Sequence, residues 1–485
     1  MPTFVNELDP VAVWQHFDRI LEIPRGSKNE AAMRAYVREV AGRHGLAVAE
    51  DGAGNLVVRK PATTGREKTP VVVLQSHLDM VCEKNSDVEF DFTRDALKPR
   101  RDGDYLYATG TTLGSDNGIG VAAMLAVAEG GEMVHGPLEL LFTIDEETGL
   151  TGAAELDPQL LTGRRLLNLD TEEEYALYVG CAGGAGTDLE IPLESVFGAD
   201  GYETLRVRLA GFKGGHSGVD IHLQRGNAIS ILARLLGETA AEFGFELVSF
   251  DGGNMHNAIP REANAIVRLG KGEQKKFQDA LTAGLAAVAS ELAGIEEGLT
   301  VEVARAEAVN EVLAESSGAR VLALLAALPH GVLAMSHDIP GLVETSTNLA
   351  RVRTEEGALR IHQSSRSSVM SALRATQERI AGFALLAGGI ATQSEGYPGW
   401  KPDLESPLLA VLKGVHAATF GREAEVKAIH AGLECGLIGE KFPGMDMISF
   451  GPQIEFPHSP DERVLIPSVG RFWKLLVAAL AALAA

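Results

Sequence analysis

The sequence predicts an α/β fold in which helices flank a mostly parallel β-sheet, with an α+β domain inserted between the two parts of the chain that form that sheet. Three observations lead to this prediction. The 485 residues exceed the roughly 250–300 that one hydrophobic core can serve, so we expect two domains. Short apolar runs alternate with helical patterns in the first third and again near the end, which is typical of parallel βαβ units. Between these regions longer strands alternate with period two, which indicates a separate α+β domain.

The first domain is predicted from elements at both ends of the chain, and we expect them to share one sheet because the same rhythm occurs in both. The strand-like segments are 71–75, 138–144, 165–169, 425–429 and 447–450, and the helix-like segments are 118–128, 407–420 and a last helix from Ser468 onward.

The insert has a different pattern. Its strand-like segments are 203–209 and 263–269, and its amphipathic helices are 227–241 and 273–292. The glycine-rich segment 180–186 and the proline-containing segment 396–402 are suited to act as hinges at its borders. We therefore predict a first domain formed by residues 1–184 and 397–485, and an insert formed by residues 185–396.

The charge balance argues against nucleic acid and membranes as partners. Lys and Arg number 43 and Asp and Glu number 66, a formal net charge of −23, and such a surplus repels a phosphate backbone or an anionic bilayer. The segment 1–10 carries acids and no apolar run, so we expect no secretory signal, and the apolar tail 472–485 is too short to span a bilayer. We expect a cytoplasmic protein.

The cysteines limit the kinds of metal site. Cys82, Cys181 and Cys435 are an odd number at wide separations, without a Cys-x-x-Cys pair, so neither a disulfide framework nor a thiolate zinc site is predicted. A metal ion would have to be held by His and carboxylate side chains.

His77 and Asp79 follow the apolar run 71–75, at the end of a predicted buried strand. If this segment is extended, the two side chains project the same way, and ligands bind at the strand ends of such sheets. A surface His beside a loop Asp is an equally good interpretation of this pair taken alone.

Asp116 lies in the glycine-rich segment 114–120, which opens the next helix. The spacing of this segment fits neither the Walker nor the dinucleotide fingerprint, and the segment has no Lys. Taken alone, it is better explained by an Asp that caps the helix beside glycines in a tight turn. The alternative is that Asp116 faces a cleft as a metal ligand.

Three adjacent carboxylates, Asp145, Glu146 and Glu147, follow the apolar segment 138–144. They repel one another unless cations or protons neutralise them. A solvated acidic turn is the alternative, although such turns seldom follow so apolar a strand. A metal site would explain the cluster.

Two further candidates complete the set. Asp170 ends the strand-like segment 165–169, whereas the glutamates 172–174 are expected to form a solvated edge. His458 lies between prolines in a loop after the segment 447–450, and it is the best candidate for a second histidine ligand.

Together these motifs resemble the co-catalytic zinc peptidase family of aminoacylases, carboxypeptidase G and bacterial dipeptidases. The matching series is His77-x-Asp79, Gly114-Ser115-Asp116-Asn117-Gly118, Asp145-Glu146-Glu147-Thr148-Gly149, Asp170 and His458. The resemblance covers essentially the whole chain, and the insert is most similar to that of the aminoacyl-histidine dipeptidases, also called cytosolic non-specific dipeptidases. It implies a zinc-peptidase-like fold in which residues 185–396 are a lid domain.

The resemblance also implies two Zn²⁺ ions per chain, with Co²⁺ or Mn²⁺ as substitutes. His77 and Asp170 would hold one ion, Glu147 and His458 would hold the other, and Asp116 would bridge them. This assignment agrees with the chemistry required, because two cations about 3.5–4 Å apart need a shared anionic ligand and leave a water between them. Zinc lowers the pKa of such a water towards about 7.

Two more residues near the metals receive roles from the resemblance. Glu146 would be the general base, and Asp79 would accept a hydrogen bond from His77 and fix its tautomer. Family members also have a non-proline cis peptide bond after the bridging Asp. We therefore expect a cis bond between Asp116 and Asn117.

Three residues of the insert resemble substrate contacts of the family's lid. His216 in Gly-Gly-His-Ser-Gly would polarise the scissile carbonyl, Asn257 in Asn-Ala-Ile-Pro would touch substrate, and Arg366 among four serines would clamp a terminal carboxylate. Without the resemblance, a loop histidine, a turn and a solvated Arg beside a helix N-cap are the respective alternatives.

We therefore expect a metallo-dipeptidase that hydrolyses dipeptides, including those ending in His, by a bridging zinc-activated water. A deacylase of N-acyl amino acids or a tripeptidase on the same scaffold is the alternative enzyme. A catalytically inactive metal-binding or partner-binding protein is disfavoured because it would need no general base. The expected partner is a small peptide, not nucleic acid or a membrane, and the resemblance leaves open whether the chain forms a homodimer.

Overall fold

The computed structural model describes residues 3–131 and 133–485 and divides the chain into two compact units. The first unit consists of Met1–Gly180, Pro402–Ala428 and Leu433–Ala485, and the second unit of Cys181–Lys401 and Ile429–Gly432. The second unit starts at Cys181, where the sequence suggested residue 185, and it runs to Lys401, where the sequence suggested residue 396. The short return segment Ile429–Gly432 had no signal in the sequence.

The helices and strands are numbered in chain order. The helices are α1 (Val11–Ile20), α2 (Ala31–Arg43), α3 (Ser115–Glu129), α4 (Glu146–Gly149), α5 (Thr151–Glu155), α6 (Ala228–Phe243), α7 (Gln274–Glu291), α8 (Glu315–Ala327), α9 (Met370–Leu386), α10 (Pro407–Phe420), α11 (Glu434–Lys441) and α12 (Ile466–Leu483), with 3₁₀ turns at Phe4–Glu7 and Ile221–Leu223. The strands are β1 (Ala47–Glu50), β2 (Leu56–Lys60), β3 (Val72–His77), β4 (Pro99–Asp102), β5 (Tyr105–Ala108), β6 (Leu138–Thr143), β7 (Arg165–Asn168), β8 (Ala176–Cys181), β9 (Gly183–Pro192), β10 (Ser195–Phe197), β11 (Tyr202–Ala210), β12 (Glu246–Gly252), β13 (Ala263–Gly270), β14 (Thr300–Arg305), β15 (Glu311–Leu313), β16 (Gly331–Met335), β17 (Val343–Glu355), β18 (Ala358–Ser367), β19 (Ile390–Gln393), β20 (Glu425–Ile429), β21 (Asp446–Ser449), β22 (Ile454–Glu455) and β23 (Arg463–Leu465).

The central sheet of the first unit has eight strands in the order β1-β2-β6-β3-β7-β21-β8-β20. The middle strands β6, β3, β7 and β21 are parallel, and the strands beside them pair antiparallel. Every residue of β3 and β6 is buried, as expected for strands covered on both faces. The predicted fold class is confirmed, and strands from both ends of the chain share this sheet. Because the middle strands are parallel, their carboxyl ends meet at one edge.

Helix α3 packs against β3 and α1. All of its residues from Asn117 to Ala128 are buried, and a helix that is apolar all round is typical of the interior of a domain. This burial fixes the position of the turn that precedes the helix.

The second unit is built on an antiparallel sheet of nine strands, in the order β14-β11-β13-β12-β17-β18-β9-β19 with β16 beside β17. Buried and more exposed residues alternate along β11 and β13, which places one face of the sheet in a core shared with helices α6 to α9. The glycine-rich segment 180–186, which we expected to be a hinge, belongs to strands β8 and β9.

Helix α12 differs from its prediction in length. It begins at Ile466, so by length and composition alone it could cross a membrane, the one helix of the described residues that could. The expectation that the apolar tail is too short for a bilayer is therefore wrong. Half of this helix is nevertheless buried inside the protein, where Phe472 packs on Phe450 with 5.8 Å between ring centroids. Such packing is typical of the core helix of a globular domain.

Candidate metal centre

The five side chains predicted as metal ligands lie at the carboxyl edge of the parallel strands. His77 is the last residue of β3, and Asp170 follows the end of β7. Asp116 is in the first turn of α3, and Glu147 is in α4, the short helix after β6. His458 lies in the loop between β22 and β23. The strand order thus brings together residues that are far apart in the sequence.

Asp116 is at the centre of the arrangement. Its Oδ1 lies 3.1 Å from His77 Nε2, and its Oδ2 lies 3.2 Å from His458 Nε2. His77 Nε2 is also 3.3 Å from Asp170 Oδ1, and His458 Nε2 is 3.1 Å from Glu147 Oε2. Two groups of three donors therefore share the carboxylate of Asp116, and the donor atoms within each group lie within 4.8 Å of one another.

The backbone at Asp116 turns its carboxylate towards the two histidines. The Asp116–Asn117 peptide bond is cis, as predicted. Asp116 has non-helical angles, φ −82° and ψ 115°, and the residue at the N-cap position is Gly114, with φ 66°. A β-carbon on Gly114 would lie 2.5 Å from Arg25 Nη2, so this turn needs glycine both for its conformation and for space.

Asp79 connects three parts of the site. Its Oδ1 lies 3.3 Å from His77 Nδ1 and accepts a hydrogen bond from Glu146 N at 3.0 Å. Its Oδ2 accepts hydrogen bonds from Glu147 N at 3.1 Å and from Ser27 Oγ at 2.8 Å. Burial opposes ionisation, but these donors together with His77 lower the pKa of Asp79 to about 2. The carboxylate therefore orients both the ring of His77 and the backbone of the acidic turn.

Glu146, to which the resemblance assigns the role of general base, lies beside the candidate ligands. One of its carboxylate oxygens lies within 4.8 Å of the ligand atoms of His77 and Glu147. Burial and the negative charges of Asp170 and Glu147 raise the pKa of Glu146 well above its usual range. The side chain is thus held among other acids at the edge of the candidate metal centre.

The donor set fits two divalent cations. Hydrogen bonds to Asp116 and Glu147 raise the pKa of His458 to about 11, and burial raises the pKa of Asp170 to about 6. Carboxylates this close repel one another and are stabilised by cations. Among the described residues the buried Oε1 of Glu147 has no hydrogen-bond partner, which leaves a lone pair for a ligand. Histidine and carboxylate donors around a shared carboxylate suit a pair of zinc-like ions.

A third acidic group lies beside the centre but has a different character. Glu30, Asp79 and Asp145 also bring three carboxylates together. Glu30 accepts a hydrogen bond from Asp145 N at 3.1 Å, and Asp145 Oδ2 accepts one from Thr151 Oγ1 at 2.6 Å. These hydrogen bonds tie the group to the acidic turn and hold that turn in place.

Glu462 is a functional residue that the sequence reasoning missed. It is only 2% exposed and lies in the same loop as His458, where its N–H bonds Ser459 O. Its carboxylate accepts hydrogen bonds from Leu113 N at 2.8 Å, Gly114 N at 2.9 Å, Ser115 N at 2.7 Å and Ser115 Oγ at 2.6 Å. Glu462 therefore ties the loop that carries His458 to the turn that carries Asp116.

Arg25 was also missed and acts on the other side of the same turn. It is 2% exposed, and its Nη1 donates to Leu78 O at 3.1 Å and to Asp79 O at 2.6 Å. Its Nη2 donates to Gly114 O. One guanidinium thus joins the segment after β3 to the turn before α3, and no side-chain pattern in the sequence signals contacts of this kind.

Glu434 is hydrogen-bonded to side chains near the carboxyl ends of β3 and β6. It is fully buried, and its Oε2 accepts hydrogen bonds from Gln75 Nε2 at 2.6 Å and Thr143 Oγ1 at 2.7 Å. Gln75 Oε1 in turn accepts a hydrogen bond from Asn168 Nδ2. Burial raises the pKa of Glu434 to about 8. This polar network joins side chains of β6, β3 and β7. Its member on β3, Gln75, lies two residues before His77.

The glutamates after Asp170 differ from their prediction as a solvated edge. Glu172 is half-buried, and burial together with the charges of Asp116 and Asp170 raises its pKa. Glu174 pairs with Arg471 and has a largely buried side chain. The expectation is therefore wrong for these two residues, because neighbouring elements cover them.

His216, Asn257 and Arg366, the residues predicted to contact substrate, all lie in the second unit. His216 Nδ1 accepts hydrogen bonds from Gly218 N and Val219 N, both at 3.2 Å. Asn257 O accepts one from Ser217 N at 2.8 Å. A β-carbon on Gly218 would lie 3.0 Å from His216 Cε1 and 3.2 Å from Arg366 Nε, so the imidazole and the guanidinium are neighbours. Their roles towards substrate stay predictions.

Comparisons with known proteins agree with the motifs. Residues 73–482, which include all five candidate ligands, match peptidase family M20/M25/M40. The cytosol non-specific dipeptidase of Escherichia coli (strain K12) is 40% identical over 472 residues, which cover 97% of this chain and 97% of that protein. The crystal structure of aminoacylhistidine dipeptidase from Vibrio alginolyticus has a TM-score of 0.91 and 42% identity, covering 99% of this chain and 98% of the other.

More distant structures share the fold alone. The structure of a tripeptidase from Staphylococcus aureus has a TM-score of 0.56 at 18% identity and covers 98% of this chain and 99% of its own. The resemblance inferred from the sequence motifs is confirmed by the family match and by the two closer relatives.

Proposed function

The chain belongs to peptidase family M20/M25/M40, and on this basis we propose that it is a metal-dependent dipeptidase that acts on dipeptides with a free amino terminus, including those ending in His. Two relatives at 40% and 42% identity over nearly the whole chain are named as dipeptidases. The observation that carries the proposal is the carboxylate of Asp116, which is shared between one His–carboxylate pair on each side.

Five side chains would hold two divalent ions. His77 and Asp170 lie on one side of Asp116, and Glu147 and His458 lie on the other. These donors suit Zn²⁺, with Co²⁺ or Mn²⁺ as substitutes. When bound, the ions lower the pKa of the attacking water towards about 7 and polarise the scissile carbonyl.

Glu146 moves the proton. Its carboxylate accepts a proton from the attacking water and then delivers it to the nitrogen of the leaving amine, so that one side chain serves as base and acid in turn. Asp79 positions this residue, because its two oxygens accept the backbone N–H groups of Glu146 and Glu147. The same carboxylate faces Nδ1 of His77 and leaves Nε2 for the metal side.

The second unit supplies substrate contacts in the manner of a lid. Because His216 Nδ1 accepts two backbone N–H groups, the neutral ring carries its proton on Nε2 and can donate to a developing oxyanion. Arg366 binds the terminal carboxylate of the dipeptide, and Asn257 contacts its backbone.

The proposal is tested by metal content and by turnover of a small substrate panel. The metal-free chain is loaded with Zn²⁺, Co²⁺ or Mn²⁺, and kcat/KM is measured for Ala-His, N-acetyl-Ala-His and Ala-Ala-His. We expect Ala-His to exceed both others by at least about tenfold. A preference for the acetylated peptide would assign a deacylase, and a preference for the longer peptide would assign a tripeptidase.

Two further properties belong to the proposal. The relative from Escherichia coli is named a cytosol enzyme, and we place this chain in the cytoplasm as well, acting on small peptides. Whether the chain forms a homodimer stays a prediction, and light scattering of the purified protein measures it directly.

A further inference from the structure

The second unit contains a cavity of about 470 Å³ whose lining includes two arginines and two histidines. Arg351, Arg366, His256 and His362 line it, and Asp188 is the single acidic residue among the described lining residues. His362 and Arg366 are four residues apart on β18, so their side chains point to the same face of the sheet. A cationic cavity is unexpected in a chain with a formal net charge of −23.

Arg366 is buried there without an anionic partner. It is 8% exposed, and its Nη1 donates to the Tyr397 hydroxyl at 2.9 Å. Its Nε has no hydrogen-bond partner in the part of the chain that the structure describes. Within the described residues no carboxylate forms a salt bridge with it. A buried guanidinium without a counter-charge is costly, so an anionic ligand is expected. The terminal carboxylate of a dipeptide supplies one such anion under the proposed function.

Arg351 provides a second cation in the same cavity. It lies on β17 and is exposed, and no side-chain hydrogen bond or salt bridge engages it in the described part of the chain. The one acidic lining residue does not neutralise it, because Asp188 Oδ1 bonds His362 Nδ1 at 2.8 Å. Burial and the positive charges of His362, Arg366 and Arg351 lower the pKa of His256, which indicates that these cations act on one small region.

We propose that this cavity is the subsite for the side chain of the substrate's C-terminal residue and that it selects an acidic side chain. The inference rests on the proposed dipeptidase function. Arg366 binds the terminal carboxylate, and Arg351 binds the carboxylate of a C-terminal Asp or Glu. In a C-terminal Asp or Glu these two carboxylates are separated by only two or three carbon atoms, and both arginines line the same cavity.

The walls of the cavity fit such a side chain. Ser364 and Ser394 contribute hydroxyl groups, and Gly184 and Gly186 contribute backbone. A β-carbon on Gly184 would lie 2.7 Å from the Tyr397 ring, so glycine leaves room for the tyrosine that holds Arg366. A neutral side chain is tolerated there, whereas a Lys side chain is repelled by the same cations.

The test compares substrates that differ only in charge. We expect kcat/KM of the metal-loaded enzyme to be higher for Ala-Glu than for its isostere Ala-Gln by roughly two- to fivefold, because Arg351 is exposed and its attraction is partly screened. Ala-Lys should be the poorest of the three. Raising the ionic strength from about 0.05 M to about 0.5 M should reduce the Glu/Gln ratio.

Two matched variants decide whether Arg351 causes the preference. Arg351→Met keeps most of the side-chain stem and should bring the Glu/Gln ratio to about one. Arg206→Met removes the same charge from β11 of the same sheet, outside the cavity, and should leave the ratio unchanged. Circular dichroism of both variants verifies that they fold.

The outcomes separate the two proposals. A wild-type ratio at or below one, or a ratio that Arg351→Met leaves unchanged, would overturn the acidic subsite while dipeptide hydrolysis stands. A metal-loaded wild-type enzyme that turns over no dipeptide would overturn the proposed function and the subsite with it.

Discussion

Replacing Glu462 with Gln should weaken metal binding as well as the fold, although Glu462 is not a proposed metal ligand. Its carboxylate receives the N–H groups of Leu113, Gly114 and Ser115 and the Ser115 hydroxyl, at 2.6 to 2.9 Å. These donors belong to the turn that carries Asp116, whereas Glu462 belongs to the loop that carries His458. A change at Glu462 therefore reaches ligands on both sides of the centre.

The loss of stability expected for Glu462→Gln is estimated from the hydrogen bonds that the substitution removes. Oε2 of Glu462 accepts two hydrogen bonds, and Oε1 accepts the two from Ser115 and a longer one from Asp116 N at 3.4 Å. Gln presents an amide NH₂ in place of one oxygen, so at least two buried donors lose their acceptor. Hydrogen bonds to charged groups contribute about 1.5–3 kcal/mol each, and relaxation recovers part of this. We expect a loss of about 3 kcal/mol in the free energy of unfolding. Partners that orient metal ligands typically contribute about 10–100-fold to metal affinity.

Glu139 offers a matched control. It is 3% exposed and accepts hydrogen bonds from Thr162 N and Thr162 Oγ1 at 2.9 Å and from Gly163 N at 3.0 Å. It lies near the amino end of β6, at the edge of the sheet opposite the metal centre. Glu139→Gln should therefore cost a similar free energy of unfolding without changing metal affinity.

The assay measures both quantities for wild type and the two variants. Urea unfolding of the metal-free chains gives stability, and competition with a chromophoric chelator gives zinc affinity. We expect the affinity of Glu462→Gln to fall about 10–100-fold and that of Glu139→Gln to stay within about twofold of wild type. The reasoning is refuted if both variants bind zinc equally well, since the loss would then reflect general destabilisation.

Four other predictions concern single side chains. Asp116→Asn should retain less than one ion per chain after dialysis, because the shared ligand loses its charge; mass spectrometry of the metals checks this, and full retention would contradict the bridge. Glu146→Gln should keep its metals but lose at least about 100-fold in kcat, and a loss below about tenfold in steady-state assays would exclude it as the base. Arg366→Met should raise KM by about 30-fold or more and lower kcat by a smaller factor. An unchanged KM would argue against binding of the terminal carboxylate by Arg366. Burial and the positive charge of Arg366 lower the pKa of His430 to about 3 in the folded chain, whereas an unfolded His titrates near about 6.5. Between these two pH values the unfolded state therefore binds a proton at His430 that the folded state does not bind. The free energy of unfolding should fall by up to about 1.4 kcal/mol per pH unit as the pH drops from about 6.5 towards about 3. Urea unfolding across this range should show that the free energy of unfolding of His430→Gln depends less steeply on pH than that of wild type.

The sequence predicted where the candidate ligands meet because that step needed only short-range information. An apolar run followed by His or a carboxylate predicts a strand end with a polar side chain, as for His77 and Asp170, and parallel strands bring their carboxyl ends to one edge. The directions of the outer strands could not be predicted in the same way. An apolar run such as the one in β2 looks alike whether its neighbour is parallel or antiparallel.

The residues that the sequence did not reveal bind backbone groups. Glu462 lies 347 residues from Ser115, whose N–H it receives, and Arg25 lies 89 residues from the carbonyl of Gly114. A peptide group is present at every position, so no partner residue type marks such a contact in the sequence. Glu172 was misjudged for a related reason, since its burial depends on elements that are remote along the chain.

The acids around the centre fall into two classes that differ in what occupies their lone pairs. Asp116, Glu147 and Asp170 face the imidazole Nε2 atoms, and no described residue donates a hydrogen bond to Glu147 Oε1. Asp79 and Glu462 instead receive backbone N–H groups. Because the second class is satisfied by the protein itself, it holds the ligand-bearing loops in place whether or not a cation is present. Little conformational freedom then remains to be lost when the ions bind, which favours tight binding by a site whose ligands come from distant parts of the chain.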